Sequence, residues 1–300
     1  MIQNCGSAVT GITVLNDRMY VCLHGNQQIA VYCPETFQHQ EYLQCRCPSC
    51  GTWSASVLQC SLFCPYEYGC RYGYDDEYEY EYEYEYQDQD QYGMLHLVGC
   101  NVSNCLYLSG QDPHCERSIC KVAIGQSNTR SAWSVGYVPR GLSVTSLHNL
   151  LAASSNGHCL FEYSPNGQQL RQINLQPAGI TSPVHVVQLS NDQFGVTHHG
   201  PTHQFAIVSS DGQLVQSYGG DAGDLDQPQG IAVDQQGTIR VADQGNNRIL
   251  VMDPKTLSAN PLRLPTDCKL DGPYSIYFDA ANQRLLIGEW SGGRIVCCQL

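Results

Sequence analysis

The chain repeats itself with a period close to 45 residues. The run Pro228-Gln229-Gly230-Ile231-Ala232-Val233-Asp234 resembles Pro139-Arg140-Gly141-Leu142-Ser143-Val144, Pro183-Val184-His185-Val186-Val187 and Pro273-Tyr274-Ser275-Ile276-Tyr277-Phe278. The third residues of these runs are 141, 185, 230 and 275, at intervals of 44, 45 and 45. One step back from Gly141 falls on His96, in Leu95-His96-Leu97-Val98. A first copy, Thr10-Gly11-Ile12-Thr13-Val14, places Gly11 85 residues before His96, one period plus an insertion of 40. That makes six copies. A period of this length constrains the fold strongly, because each unit must be one supersecondary element that buries its faces on its neighbours.

Within each copy the apolar pattern marks short strands. After the first strand come Arg18–Leu23, Cys105–Ser109, Leu150–Ser154, Phe194–Thr197, Ile239–Ala242 and Arg284–Gly288. A third series follows: Gln28–Tyr32, Ser118–Ile124, His158–Tyr163, Phe205–Val208, Arg248–Met252 and Arg294–Cys298. Asn166-Gly167 and Asp211-Gly212 are hairpin dipeptides leading to a fourth strand, since Gly accepts positive φ freely and Asn or Asp nearly so. Four antiparallel strands per repeat make a propeller blade. The expected fold is therefore all-β: a single six-bladed β-propeller domain over residues 1–300, with four-stranded antiparallel blades. The sixth copy has room for three strands, so the residues before Gly11 are expected to supply its fourth and close the ring. The 25 residues after Ser275 and the ten before Gly11 fall short of a full period, which leaves that blade tight.

The copy Gln227-Pro228-Gln229-Gly230-Ile231-Ala232-Val233-Asp234, continued by Ile239-Arg240-Val241-Ala242-Asp243-Gln244-Gly245-Asn246-Asn247-Arg248-Ile249-Leu250-Val251, resembles an NHL repeat. The sixth copy resembles it well, the third and fourth fairly, and the first and second weakly. Asp243 at a strand end can accept turn amides, and Arg248 five residues on can pair with it; Glu289 and Arg294 keep that spacing. These four are read as a structural turn motif. The resemblance implies a propeller similar to the one at the C-terminus of tripartite-motif ubiquitin ligases, where such propellers bind protein or RNA. It also brings in a peptide-amidating lyase of the same fold, which holds a metal in its central channel. No RING or B-box in the expected form accompanies the repeats.

Residues 45–92 interrupt the pattern and are read as one long insertion in blade 1. Their first half carries Cys47, Cys50, Cys60 and Cys64, at a spacing that would let four thiolates hold zinc, although it is short for such a site. Their second half alternates Glu with Tyr from Glu77 to Tyr86. Nine acids between Asp75 and Asp90 repel one another, so this stretch is expected to be a solvated, disordered loop, dispensable for stability. A two-residue repeat this pure also arises by slippage or by translation of non-coding sequence.

The formal charge of −13 reduces to 19 acids against 15 bases outside that tract. Neither part has the basic surplus that double-stranded DNA binding requires. No apolar run is long enough to cross a membrane as a helix. The first residues lack the basic start and apolar core of a secretory signal, so a cytoplasmic, reducing environment is expected. The 17 cysteines are accordingly read mostly as small apolar strand residues, with Cys22, Cys105 and Cys159 as examples. Asn101-Val102-Ser103 is a sequon expected to go unused.

Histidines offer two metal readings. His198, His199 and His203 fall together in the turn that replaces Asp243…Arg248 in the fourth copy. His96 and His185 occupy the axial position held elsewhere by Gly or Ser. A catalytic zinc wants three protein ligands, and only two axial positions are His. No nucleophile elbow, phosphate loop or HExxH is present. The expectation is a monomeric, non-catalytic platform without cofactor or metal. It would bind a protein partner, with substrate recognition in ubiquitination as the implied role, because turns vary freely while inner strands are committed to packing. The candidate contacts are Arg140, His198, His199, His203, Arg240, Asn246, Asn247 and Arg248. The alternatives are a single-stranded-RNA-binding propeller, to which Arg171 and Arg263 would also contribute, and a metal-dependent lyase or hydrolase in the central channel.

Overall fold

A computed structural model describes residues 1–25, 28–44, 93–111, 117–125, 129–154, 156–189, 192–200, 202–221 and 224–300. It contains six four-stranded antiparallel sheets and no α-helix among these residues. Five blades run in chain order from the axis outward, as in Pro139–Val144, Leu150–Ser154, Cys159–Tyr163 and Gln169–Asn174. The sixth is composite. Pro273–Asp279, Arg284–Glu289 and Arg294–Gln299 come from the C-terminus, and the outer strand is Ile2–Asn4. Ile2 pairs with Val296 and Asn4 with Arg294, so the two ends of the sequence are stapled into one sheet. Three residues suffice for that outer strand, which is how a copy short of a full period still makes a complete blade.

The core is a set of six radial seams, one between each pair of neighbouring blades. The period-2 alternation of each strand sends its side chains to opposite seams. In Arg18–Leu23 the residues Met19, Val21 and Leu23 pack toward the sixth blade with Leu286 and Ile295, while Tyr20 and Cys22 pack toward the second with Leu97 and Leu106. Charged residues are drawn into the same scheme. Arg171 lies over the Phe194 ring of the next blade at 5.1 Å, and Arg240 over Phe278 at 5.4 Å. The hairpin glycines behave as their dipeptides require: Gly167 and Gly212 take φ of +83° and +81°, and each N–H closes its turn onto Ser164 or Ser209.

Several boundaries differ from the sequence reading. The stretch 45–92 lies outside the described residues, and with it Cys47, Cys50, Cys60, Cys64 and the Glu/Tyr tract. Its flanks are the outer strand His39–Gln44 of the first blade and the inner strand Gly93–Cys100 of the second. It therefore joins two blades and leaves the four strands of the first blade unsplit. His198 and His199 belong to the strand Phe194–His199, and His203 opens His203–Val208, so the histidines flank the turn instead of filling it. Cys22 and Cys105 are buried as expected, whereas Cys159 is half-buried and its sulfur accepts from Gln172 Nε2 at 3.0 Å.

Candidate functional site

The six axial residues inferred from the repeat fall at one structural place. Gly11, His96, Gly141, His185, Gly230 and Ser275 all lie on innermost strands at the irregularity where register with the second strand shifts. Glycine alternates with side chain around the ring, and the reason is steric. A Cβ on Gly11 would come within 2.8 Å of Leu97, one on Gly141 within 2.6 Å of His185 Cα, and one on Gly230 within 2.8 Å of the Tyr274 carbonyl oxygen. Each glycine thus yields space to the next blade, where His96, His185 or Ser275 stands. The imidazoles of His96 and His185 pack together with centroids 4.6 Å apart. His96 Nδ1 accepts the Leu142 amide at 3.3 Å, and Ser275 Oγ donates to the Val9 carbonyl at 3.3 Å, closing the ring. What remains of the channel is a recess of about 10 Å³, bounded among others by His96, Arg140, His185, Gln229 and Tyr274. Among the described residues no third His, Cys, Asp or Glu joins the two imidazoles in a metal-binding group, so this donor set does not fit a catalytic zinc.

One face of the disc carries the turns between second and third strands together with the linkers that enter each new blade. There the acid–arginine spacing builds a clip. Asp243 is wholly buried and takes Arg248 Nε at 2.6 Å, Asn246 Nδ2 at 3.0 Å and the linker amide of Asp226 at 2.8 Å. Arg248 Nη2 in turn donates to the Asp224 carbonyl. Blade six repeats the ion pair and both linker contacts: Glu289 takes Arg294 Nε at 2.6 Å and the Asp271 amide at 2.9 Å, while Arg294 donates to the Lys269 carbonyl at 3.0 Å. Carboxylate and guanidinium together hold the linker of their own blade, so the face is set before any partner arrives.

The sequence-derived contacts divide on this face. Asn246 and Asn247 are exposed there, although the Asn247 carboxamide also accepts the Gly272 amide at 2.6 Å. His203 is half-buried against Asp226, at 3.1 Å. His199 Nε2 lies 3.0 Å from the Pro228 carbonyl. Arg248 is a member of the clip. His198 occupies the place of Asp243, opposite the proline that opens the inner strand, and at 3 % exposure it is inaccessible to a partner. Arg240 is a correction as well. It sits near the other end of its blade, buried in an ion pair with Asp234 at 2.9 Å, because alternation along Ile239–Asp243 turns it into the seam. Arg140 is half-buried at the mouth of the axis; its carbonyl accepts Ser109 Oγ at 3.0 Å, while its guanidinium makes no hydrogen bond or ion pair among the described residues.

Two groups escaped the sequence reading. Tyr274, Trp290 and His24 form an aromatic cluster beside the axial mouth, with Trp290 4.6 Å from His24 and 5.1 Å from Tyr274 between centroids. Gln229, 4 % exposed, donates to Gln244 Oε1 at 2.7 Å, and its own side-chain Oε1 has no partner among the described residues. The signal was the repeat itself. Arg140, Gln229 and Tyr274 all follow the opening proline of their copies, and Gln244 and Trp290 both follow the clip acid.

The NHL repeat family model matches residues 225–252, the copy that carries Asp243 and Arg248. The chain is a six-bladed β-propeller that carries an NHL repeat in its fifth blade. The Drosophila melanogaster protein brain tumor is 30% identical to this propeller over 120 residues, which are 38% of this chain and 11% of the fly protein. Among solved structures, virginiamycin B lyase from Staphylococcus aureus superposes with a TM-score of 0.59 at 12% identity, covering 100% of this chain and 88% of that one. The Cps50 (Swd1) β-propeller domain of Myceliophteria thermophila does so with a TM-score of 0.58 at 9% identity, covering 97% and 84%. At these identities the likeness is one of fold alone.

Buried and half-buried histidines are expected to make the propeller acid-sensitive. Burial holds His185, His198 and His199 at about 4, and burial with the facing His185 holds His96 well below the usual imidazole range. Above pH 6.5 these rings are neutral whether folded or unfolded, and their contribution is fully present. Below it the unfolded chain gains protons that the folded one refuses, so the contribution of the three rings held at about 4 is lost between about pH 6.5 and pH 4. His185 alone is expected to contribute on the order of 3 kcal/mol to this loss. Urea midpoints measured across that range should fall for the wild type and fall less for His185→Gln. Equal slopes for the two would contradict the assignment.

Proposed function

We propose that this propeller works without catalysis, as a preformed platform that holds a protein partner on the face built by the clips. The observation that supports this reading best is the doubled clip, Asp243 with Arg248 and Glu289 with Arg294, each fixing the linker beside it. Loops ordered in advance spare a partner the entropic cost of ordering them. The contact region in this proposal runs from Asn246 and Asn247 across Tyr274 and Trp290 to Arg140. Among these residues Arg140 is the one cation not engaged in a pair, which favours a protein over a phosphate backbone. The role in recognising ubiquitination substrates rests on the family resemblance. No helix among the described residues is long and apolar enough to cross a membrane.

Single-stranded RNA is the second reading, and the aromatic cluster favours it, because Tyr274, Trp290 and His24 offer ring faces on which bases stack. Point variants locate the surface. With a partner isolated by cross-linking and then purified, Trp290→Ala and Arg140→Glu are each expected to weaken binding by about tenfold or more, as central aromatic and arginine anchors do. Leu214→Ser, on an outer strand, should leave it unchanged. Full affinity in both face variants would remove the proposal.

A further inference from the structure

The opposite face carries the turns between first and second strands, and at two places neighbouring turns there are tied by side chains. Asn16 Nδ2 donates to Asn104 Oδ1 at 2.6 Å between blades one and two. The Ser146 amide and hydroxyl both donate to Gln188 Oε1, at 2.8 and 3.0 Å, between blades three and four. Between blades four and five no such tie exists among the described residues. A groove of about 830 Å³ opens there, extending from Val144 and Ser146 to Pro254 and Lys255. That volume lies within the usual range of ligand sites.

The lining of the groove selects its occupant. Val144, Leu189 and Val233 give a half-buried aliphatic floor. Gln193, Gln235 and Gln236 stand on its walls with no side-chain hydrogen bond among the described residues. One lysine and one unpaired aspartate, Lys255 and Asp192, balance each other, while Asp234 is neutralised by Arg240. Among the described residues no aromatic ring lines it, so neither a nucleobase nor a sugar finds a stacking face there. A carboxamide presents one donor group and one acceptor, the same pair that a peptide group presents. We infer that this groove is a second docking site, for an extended, uncharged peptide segment that pairs its main chain with the glutamines and lays an aliphatic side chain on the floor. In a strand such side chains recur on one face at every second residue. The propeller would then join two proteins, one on each face.

The inference stands apart from the clip-face proposal and is tested apart from it. The probes are three fluorescein-labelled decapeptide pools in which Val, Leu or Ala alternates with Ser, Asn and Gln, with Asp and Glu, or with Lys and Arg. Fluorescence anisotropy should show the uncharged pool binding at least tenfold tighter than either charged pool. The double variant Gln235→Ala/Gln236→Ala should weaken it tenfold or more. Both glutamines are exposed, so the variant's melting temperature should match the wild type. In the unmodified protein, side-chain amide resonances of Gln193, Gln235 and Gln236 should shift on adding the uncharged pool, which keeps the test independent of any variant. A preference for a charged pool, no binding of the uncharged pool at millimolar protein, or unmoved glutamine resonances would each overturn the inference. Loss of this binding with clip-face binding intact would leave the first proposal standing.

Discussion

Replacing Asp243 with alanine is expected to cost about 3 kcal/mol, because removing one partner of a buried pair leaves the other charge unmatched. The side chain has no exposed surface, and three donors converge on it: Arg248 Nε, Asn246 Nδ2 and the Asp226 amide. The guanidinium keeps about a third of its surface in water, which holds the loss at the low end of the range for buried pairs. Glu289→Ala should lose a similar amount, since it is equally buried and takes the same arginine and linker-amide donors. Asp243→Asn retains an acceptor for the Asp226 amide and should lose less. Urea denaturation with an unchanged m-value checks the series. A loss under about 1 kcal/mol for Asp243→Ala, the ordinary net worth of one hydrogen bond, would show that the clip is ornamental.

Gly141→Ala should be equally costly for a different reason. Its Cβ would press on the Val184 carbonyl oxygen and approach His185 Cα within 2.6 Å, and both belong to the inner strand of the next blade. Backbone cannot swing aside as a side-chain tip can, so blades three and four must separate, at about 3 kcal/mol. For a domain of this size that lowers the melting temperature by roughly 6–12 °C. Gly136→Ala is the control, since nothing lies within 4 Å of a Cβ built there and the change should stay within about 0.5 kcal/mol. Equal melting temperatures for the two variants would mean that the axial glycines do not set the spacing of the ring.

The fold was legible because a repeat multiplies weak signals. Leu95-His96-Leu97 alone marks nothing, but one period before Gly141 it marks an inner strand. The closing strand followed from a deficit in length, and Ile2–Asn4 fills it. The clip was legible at Asp243 and Arg248 because both ends of the pair repeat at Glu289 and Arg294. Facing was harder to read. Arg240 and Asp243 are three residues apart on one strand, yet one lies in a seam near one end of the blade and the other braces the opposite end. Side chains alternate while the repeat records only position. His198 was misjudged for a related reason: it inherits the buried site of an acid, and histidine carries no mark of burial in sequence. The groove between blades four and five had no signal at all. It is assembled from turns of blades three, four and five, and a gap between residues some 45 positions apart leaves no local trace.

The account stands or falls on what the clip face binds and how. The most direct measurement is a titration of the isolated partner against the full chain at about 50 mM and about 200 mM salt, with and without chelator, alongside single-stranded RNA. A protein held by aromatic and polar contacts should change affinity by less than about threefold across that range and be indifferent to chelator. A ligand neutralised at six or more phosphates would lose roughly a thousandfold or more over the same interval. Tight RNA binding with that steep loss, or protein binding abolished by chelator, would contradict the metal-free protein platform proposed for this propeller.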